Sequence, residues 1–194
     1  MRRRCVVWAV LAPLLAAGCG KGEAETALLA SDEAVLRVRS EAEKYVPGEF
    51  ASLVERAASA RAAYDRGDYR TARQLASALP ARAQEVQQAA ETARTDMTAR
   101  WNHLRDILPG LLNAIAEKLA ALSLMRRPPT FITPEQTETS RRRLAEANGR
   151  WTAALNAFND GDLIDAVNRA ATARATLDEL AALLEPVVLP AAPR

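Results

Sequence analysis

Apolar positions recur three and four residues apart along almost the whole chain, the spacing of one face of an α-helix. Leu28, Ser31, Val35, Val38, Ala42 and Tyr45 share such a face, and Pro47-Gly48 stops this first helix. Phe50, Leu53, Val54, Ala57, Arg61 and Tyr64 form the inner stripe of a second, with only the aliphatic stem of Arg61 buried. A third run, 69–108, places Ala76, Leu79, Ala83, Val86, Ala90, Ala93, Met97, Trp101 and Leu104 near heptad spacing, a coiled-coil-like seam about 60 Å long. Pro80 is expected to kink or divide it.

Pro109 suits the first turn of a fourth helix, with Leu111, Leu112, Ile115, Leu119 and Leu122 inward; Asn113, Glu117 and Lys118 argue against a membrane span there. "RRPPTFITPEQ" is a loop, and Thr133, Pro134 and Gln136 supply an N-cap, an N1 proline and an N3 glutamine for the next helix. That helix carries Leu144, Ala147, Trp151, Ala154, Leu155 and Phe158 inward, and the last carries Leu163, Val167, Ala170, Leu177, Leu180 and Leu184 before Pro186. The expected fold is all-α: an elongated antiparallel bundle of about six helices built from two related helical hairpins, with the domain over 26–186 and a loose tail over 187–194.

The hairpins are related through their turns. "AAYDRGDYRTARQLA" (62–76) aligns with "NAFNDGDLIDAVNRA" (156–170) at an offset of 94 residues. Gly67 and Gly161 can take the positive φ that closes a helix, Asp68 and Asp162 can cap the next one, and Ala72 and Ala166 permit close helix approach. Gly67, Asp68, Tyr69 and Ala72 resemble the inter-helix turn of tetratricopeptide repeats, and Gly161, Asp162, Leu163 and Ala166 follow it more loosely. The 34-residue period of those repeats is missing. "AEKYVPGEF" followed by "ARAAYDRGDYRTA" is also similar to the helical domain of alanine-rich periplasmic lipoproteins, which implies no activity.

Composition agrees with helices: 49% hydrophobic residues, 26% charged and only 5% aromatic. The formal charge of +2 includes Arg2, Arg3 and Arg4; without residues 1–18 it is 23 basic against 24 acidic residues, net −1. A near-neutral chain gives no electrostatic case for nucleic acid.

"MRRR", the uncharged run "CVVWAVLAPLLAA" and the small residues before Cys19 form a secretory signal over 1–18, too short for a comfortable membrane span. "LLAAGC" resembles the lipobox of bacterial lipoproteins, with Ala16 where leucine is commonest. The resemblance implies an S-diacylglyceryl group on Cys19, cleavage between Gly18 and Cys19, and N-acylation (palmitate) of the new terminus. Cys5 would leave with the signal, and the lipid would account for the single remaining cysteine. "GKGEAE" within 19–25 reads as a flexible tether. Gly20 carries no inner-membrane retention signal, so the periplasmic face of an outer membrane is the expected address where one exists.

Candidate chemistry is sparse. An EF-hand register on Gly161 puts Asn156, Phe158 and Val167 at loop positions one, three and twelve, which fails, so "NDGDLID" reads as a turn and cap. His103 is the sole histidine and reads as structural, Glu146 and Arg150 as an i,i+4 pair, and Trp101 and Trp151 as core anchors. No catalytic, metal or cofactor motif is found, and the chain is read as a non-enzyme. Arg126, Arg127, Arg141, Arg142, Arg143 and Arg150 form a locally basic region, read first as a solvated face and otherwise as a surface for an acidic partner or anionic lipid. The expected function is a membrane-anchored cell-envelope lipoprotein acting as a non-enzymatic protein-interaction or structural module. The alternative is a carrier or sensor of an apolar ligand inside the bundle near Leu111–Leu124.

Overall fold

A computed structural model describes residues 17–125 and 132–187, with side chains from Gly20 onward. Every regular element among them is helical: α1 (Ala17–Tyr45), α2 (Pro47–Asp65), α3 (Tyr69–Leu124), α4 (Pro134–Asn159) and α5 (Leu163–Leu183). Residues 26–186, read above as one domain, fall into two compact units, Met1–Arg94 and Thr95–Arg194.

Among the described residues there are five helices where about six were expected, because Pro109 lies inside the single 56-residue helix α3, which also runs through Pro80. Each proline is exposed. At Pro109 the carbonyl that loses its amide donor belongs to Arg105, an exposed residue, so water can satisfy it. The buried stripe meanwhile runs in unbroken phase through Leu104, Leu108, Ile115, Leu119 and Leu122, so ending the helix at Pro109 would forfeit burial on both sides of it.

In the first unit, α1, α2 and the beginning of α3 share a core of Leu28, Val38, Phe50, Leu53, Leu79 and Val86, with small alanines between them. Glu23 pairs with Arg73, Asp32 with Arg61, and Glu41 with Arg94 at 3.7 Å, so α1 runs parallel to α3 and antiparallel to α2. The stretch expected as a flexible tether is helical instead. Gly20–Glu25 continues α1, and Ala24, 0% exposed, packs with Ala63 and Ala72; that burial holds a polar, glycine-containing segment in helix.

In the second unit the later part of α3 packs with α4 and α5 around Trp101, Leu108, Ile115, Trp151, Leu177 and Leu180. Thr133 caps α4 with the reciprocal pair expected: Gln136 N–H donates to Thr133 Oγ1 at 3.2 Å, and Thr133 N–H to Gln136 Oε1 at 2.8 Å. Val187, the first residue of the expected tail, is buried, while 188–194 lie outside the described residues.

Candidate functional site

Two helix corners, α2 to α3 and α4 to α5, are the most specific local constructions in the chain. At the first, Gly67 takes φ +82°; its N–H donates to Tyr64 O at 2.9 Å, and the Asp68 N–H to Ala63 O at 3.0 Å. This is the Schellman pairing that satisfies the last carbonyls of a helix. Asp68 then starts α3: its carbonyl accepts from Ala72 N–H at 3.0 Å and its Oδ1 from Thr71 N–H at 3.1 Å.

The second corner repeats this bond for bond. Gly161 has φ +84°, Gly161 N–H donates to Phe158 O at 3.0 Å, and Asp162 N–H to Ala157 O at 2.9 Å. The Asp162 carbonyl accepts from Ala166 N–H at 3.0 Å, and its Oδ1 from Asp165 N–H at 3.1 Å. Ala72 and Ala166 are both 0% exposed, so the helices meet where only a methyl group fits. Tyr69 stands edge-on to Tyr64 with centroids 5.2 Å apart, whereas Leu163 is half-buried in the second core. Because an L side chain pays about 1–2 kcal/mol in the left-handed region, Gly161→Ala is expected to lose that much stability in denaturant titration, although nothing stands within 4 Å of the added carbon. A neutral result would remove the conformational argument for the glycine.

The Asp68 carboxyl is held below the ordinary carboxylate value by hydrogen bonds from the Thr71 side chain and backbone N–H. A pKa depressed by folding stabilises the ionised form. The contribution is complete above the unfolded value of about 3.9 and disappears as pH falls through the lower folded one. Asp68→Asn, which keeps a capping oxygen, is therefore expected to flatten the acid limb of the stability curve and leave neutral-pH stability nearly unchanged. An unaltered acid limb would show that Asp68 carries none of it.

Two of the side chains around Gly161 are committed to folding: Asp162 caps α5, and Asp165 pairs with Arg169 at 2.6 Å. His103 is exposed on α3. Among the described arginines of the basic region, Arg141 pairs with Glu138 at 3.3 Å and donates to Ser123, Arg143 pairs with Glu179, and Arg150 donates to Thr176 Oγ1 at 3.4 Å. Arg126 and Arg127 lie outside the described residues. These contacts are exposed; Arg141–Glu138 lies within α4, and the others bind α4 to its neighbours only weakly.

Between α3 and α4 a groove of about 380 Å³ is lined by Leu112, Ala116 and Leu144 and edged by Asn113, Arg141 and Asn148. By length and composition α3 is also apolar enough to cross a membrane. Over that stretch Leu108, Ile115, Leu119 and Leu122 face the core of the second unit, and Lys118 Nζ donates to the Leu184 carbonyl at 2.9 Å.

Cys19 falls in the first turn of α1, while residues 1–16 of the signal expected over 1–18 lie outside the described residues. The sequence alone did not single out Ala24 and Ala63, which seat α1 on the first corner. In an alanine-rich chain, buried and exposed alanines look alike. No protein-family model matches the chain, and neither a curated protein nor a solved structure matches it.

Proposed function

We propose that this chain is a lipid-anchored cell-envelope lipoprotein whose helices serve as a non-enzymatic protein-interaction or structural module. The observation that carries the anchor is "LLAAGC", preceded by three arginines and an uncharged run, and followed by a chain with no other cysteine. Two acyl chains at about 0.8 kcal/mol per buried CH₂ hold a protein on a bilayer where one does not. In an organism with two membranes, Gly20 favours the periplasmic face of the outer one.

The module itself is read as a duplication of one three-helix unit, each with a hairpin turned at a Gly-Asp corner. Six buried positions of α3, from Ala72 through Ala76, Leu79, Ala83 and Val86 to Ala90, recur 94 residues later as Ala166, Ala170, Ala173, Leu177, Leu180 and Leu184, all buried. The mixed polar edge of the α3–α4 groove suits a protein surface better than an apolar carrier site, whose lining would be nearly all hydrocarbon.

Cys19→Ala in the expressing cell tests the anchor. The variant should accumulate as unprocessed precursor and take up no labelled palmitate. A normally processed, acylated variant would overturn the lipobox reading. Crosslinking in intact membranes tests the module, and a mature lipoprotein with no reproducible crosslinked partner would count against it.

A further inference from the structure

We propose that the corner end of the first unit, around Arg66, Tyr69 and Arg70, rests in the headgroup layer of the membrane that holds the Cys19 lipid. This rests on the lipoprotein reading and adds a fixed orientation to it. A lipoprotein joined to its anchor by a flexible leash has no preferred face toward the bilayer, but α1 begins at Ala17, so the residues after Cys19 are helix. Ala24 lies five residues beyond Cys19, about 7.5 Å along the helix axis.

At that level Ala24 is buried against Ala63, in the last turn of α2, and Ala72, in the first turn of α3, while Glu23 pairs with Arg73. The first corner is therefore pinned beside the anchored end of α1. The headgroup region of one leaflet is roughly 5–8 Å deep, the same scale as the rise from Cys19 to Ala24. The opposite end of the unit, at the α1–α2 turn around Gly48, stands roughly 40 Å up α1.

The side chains at the corner suit an interface. Tyr64 and Tyr69 are half-buried rings with phenolic tips, the chemistry that settles between hydrocarbon and water. Lys21, Arg66 and Arg70 are exposed and can extend their charged ends to phosphates while their stems lie flat. Glu23, Glu25, Asp65 and Asp68 balance the local charge, so the covalent lipid supplies the attachment and the corner supplies the fit. The placement should accordingly survive high salt.

The mature lipidated protein offers no free thiol, since Cys19 would be a thioether and Cys5 removed. Arg66→Cys, Arg70→Cys and, at the far end, Gly48→Cys can each carry a fluorophore on the purified lipoprotein in vesicles of phosphatidylethanolamine and phosphatidylglycerol. At 66 and 70, quenching by a water-soluble agent is expected to fall by about half relative to detergent micelles, because a headgroup-level label presents one side to water. Quenching at 48 is expected to stay unchanged, and raising the salt should alter neither result. Equal aqueous exposure at all three positions on a protein whose acylation is confirmed by mass spectrometry would overturn the orientation alone. Absence of the acyl groups would overturn the anchor reading and the orientation with it.

Discussion

Trp101→Ala is expected to lower the stability of the second unit by about 3–5 kcal/mol, read as a shift in the denaturant midpoint of the helical signal. The indole is 0% exposed, stacks on Phe158 with centroids 4.6 Å apart and an interplanar angle of 14°, and meets Trp151 at 5.7 Å. Truncation would open a hole between three helices whose backbones are held apart by that ring. The informative comparison is Trp101→Phe. Trp101 Nε1 finds no acceptor among the described residues, and phenylalanine removes that donor while filling most of the volume. Its cost should stay below about 2 kcal/mol. If Phe were as damaging as Ala, the N–H would have to be making a bond that stabilises the core.

Ala72→Leu is expected to cost about 1–3 kcal/mol in the first unit, for the opposite reason. Ala24, Ala63 and Ala72 are each at most 1% exposed and meet one another where α1, α2 and α3 converge. A larger side chain must push α1 away from the corner. The readout is local as well as global: amide hydrogen exchange over 20–30 should accelerate more than exchange over 36–45. Uniform protection along α1 would mean that the alanine layer does not seat it.

Much of the fold could be read from periodicity, because each helix buries one stripe and exposes the rest. Leu28, Val38, Leu53, Trp101, Ile115 and Leu180 are all buried where the spacing put them inward. The marginal positions went the other way for a geometric reason: Val54 and Phe158 lie at the edge of their stripes and are each 39% exposed. Phe158 covers Trp101 with one face and leaves the other open. Local rules mispredicted Pro109, since proline chemistry argues for a start and only the phase of the stripe on both sides argues for continuity. They also mispredicted the segment after Cys19. Its glycines and charges describe a tether, and Ala24 holds it in helix through contacts some forty residues away, which no local window contains.

The corners were legible in more detail than any other feature, glycine and aspartate each standing where the backbone requires it. Each corner is also built without a spare residue. Asp68 and Asp162 give their N–H groups to the helix that is ending and their carbonyl and carboxylate oxygens to the helix that is beginning. Adding or deleting one residue there would break both sets of bonds at once and rotate the following helix by about 100°, turning its alanine stripe away from the core. Thr133, by contrast, has its side chain committed only to the helix that follows it. Relatives of this chain should therefore keep both corners at constant length even where their sequences have drifted far apart.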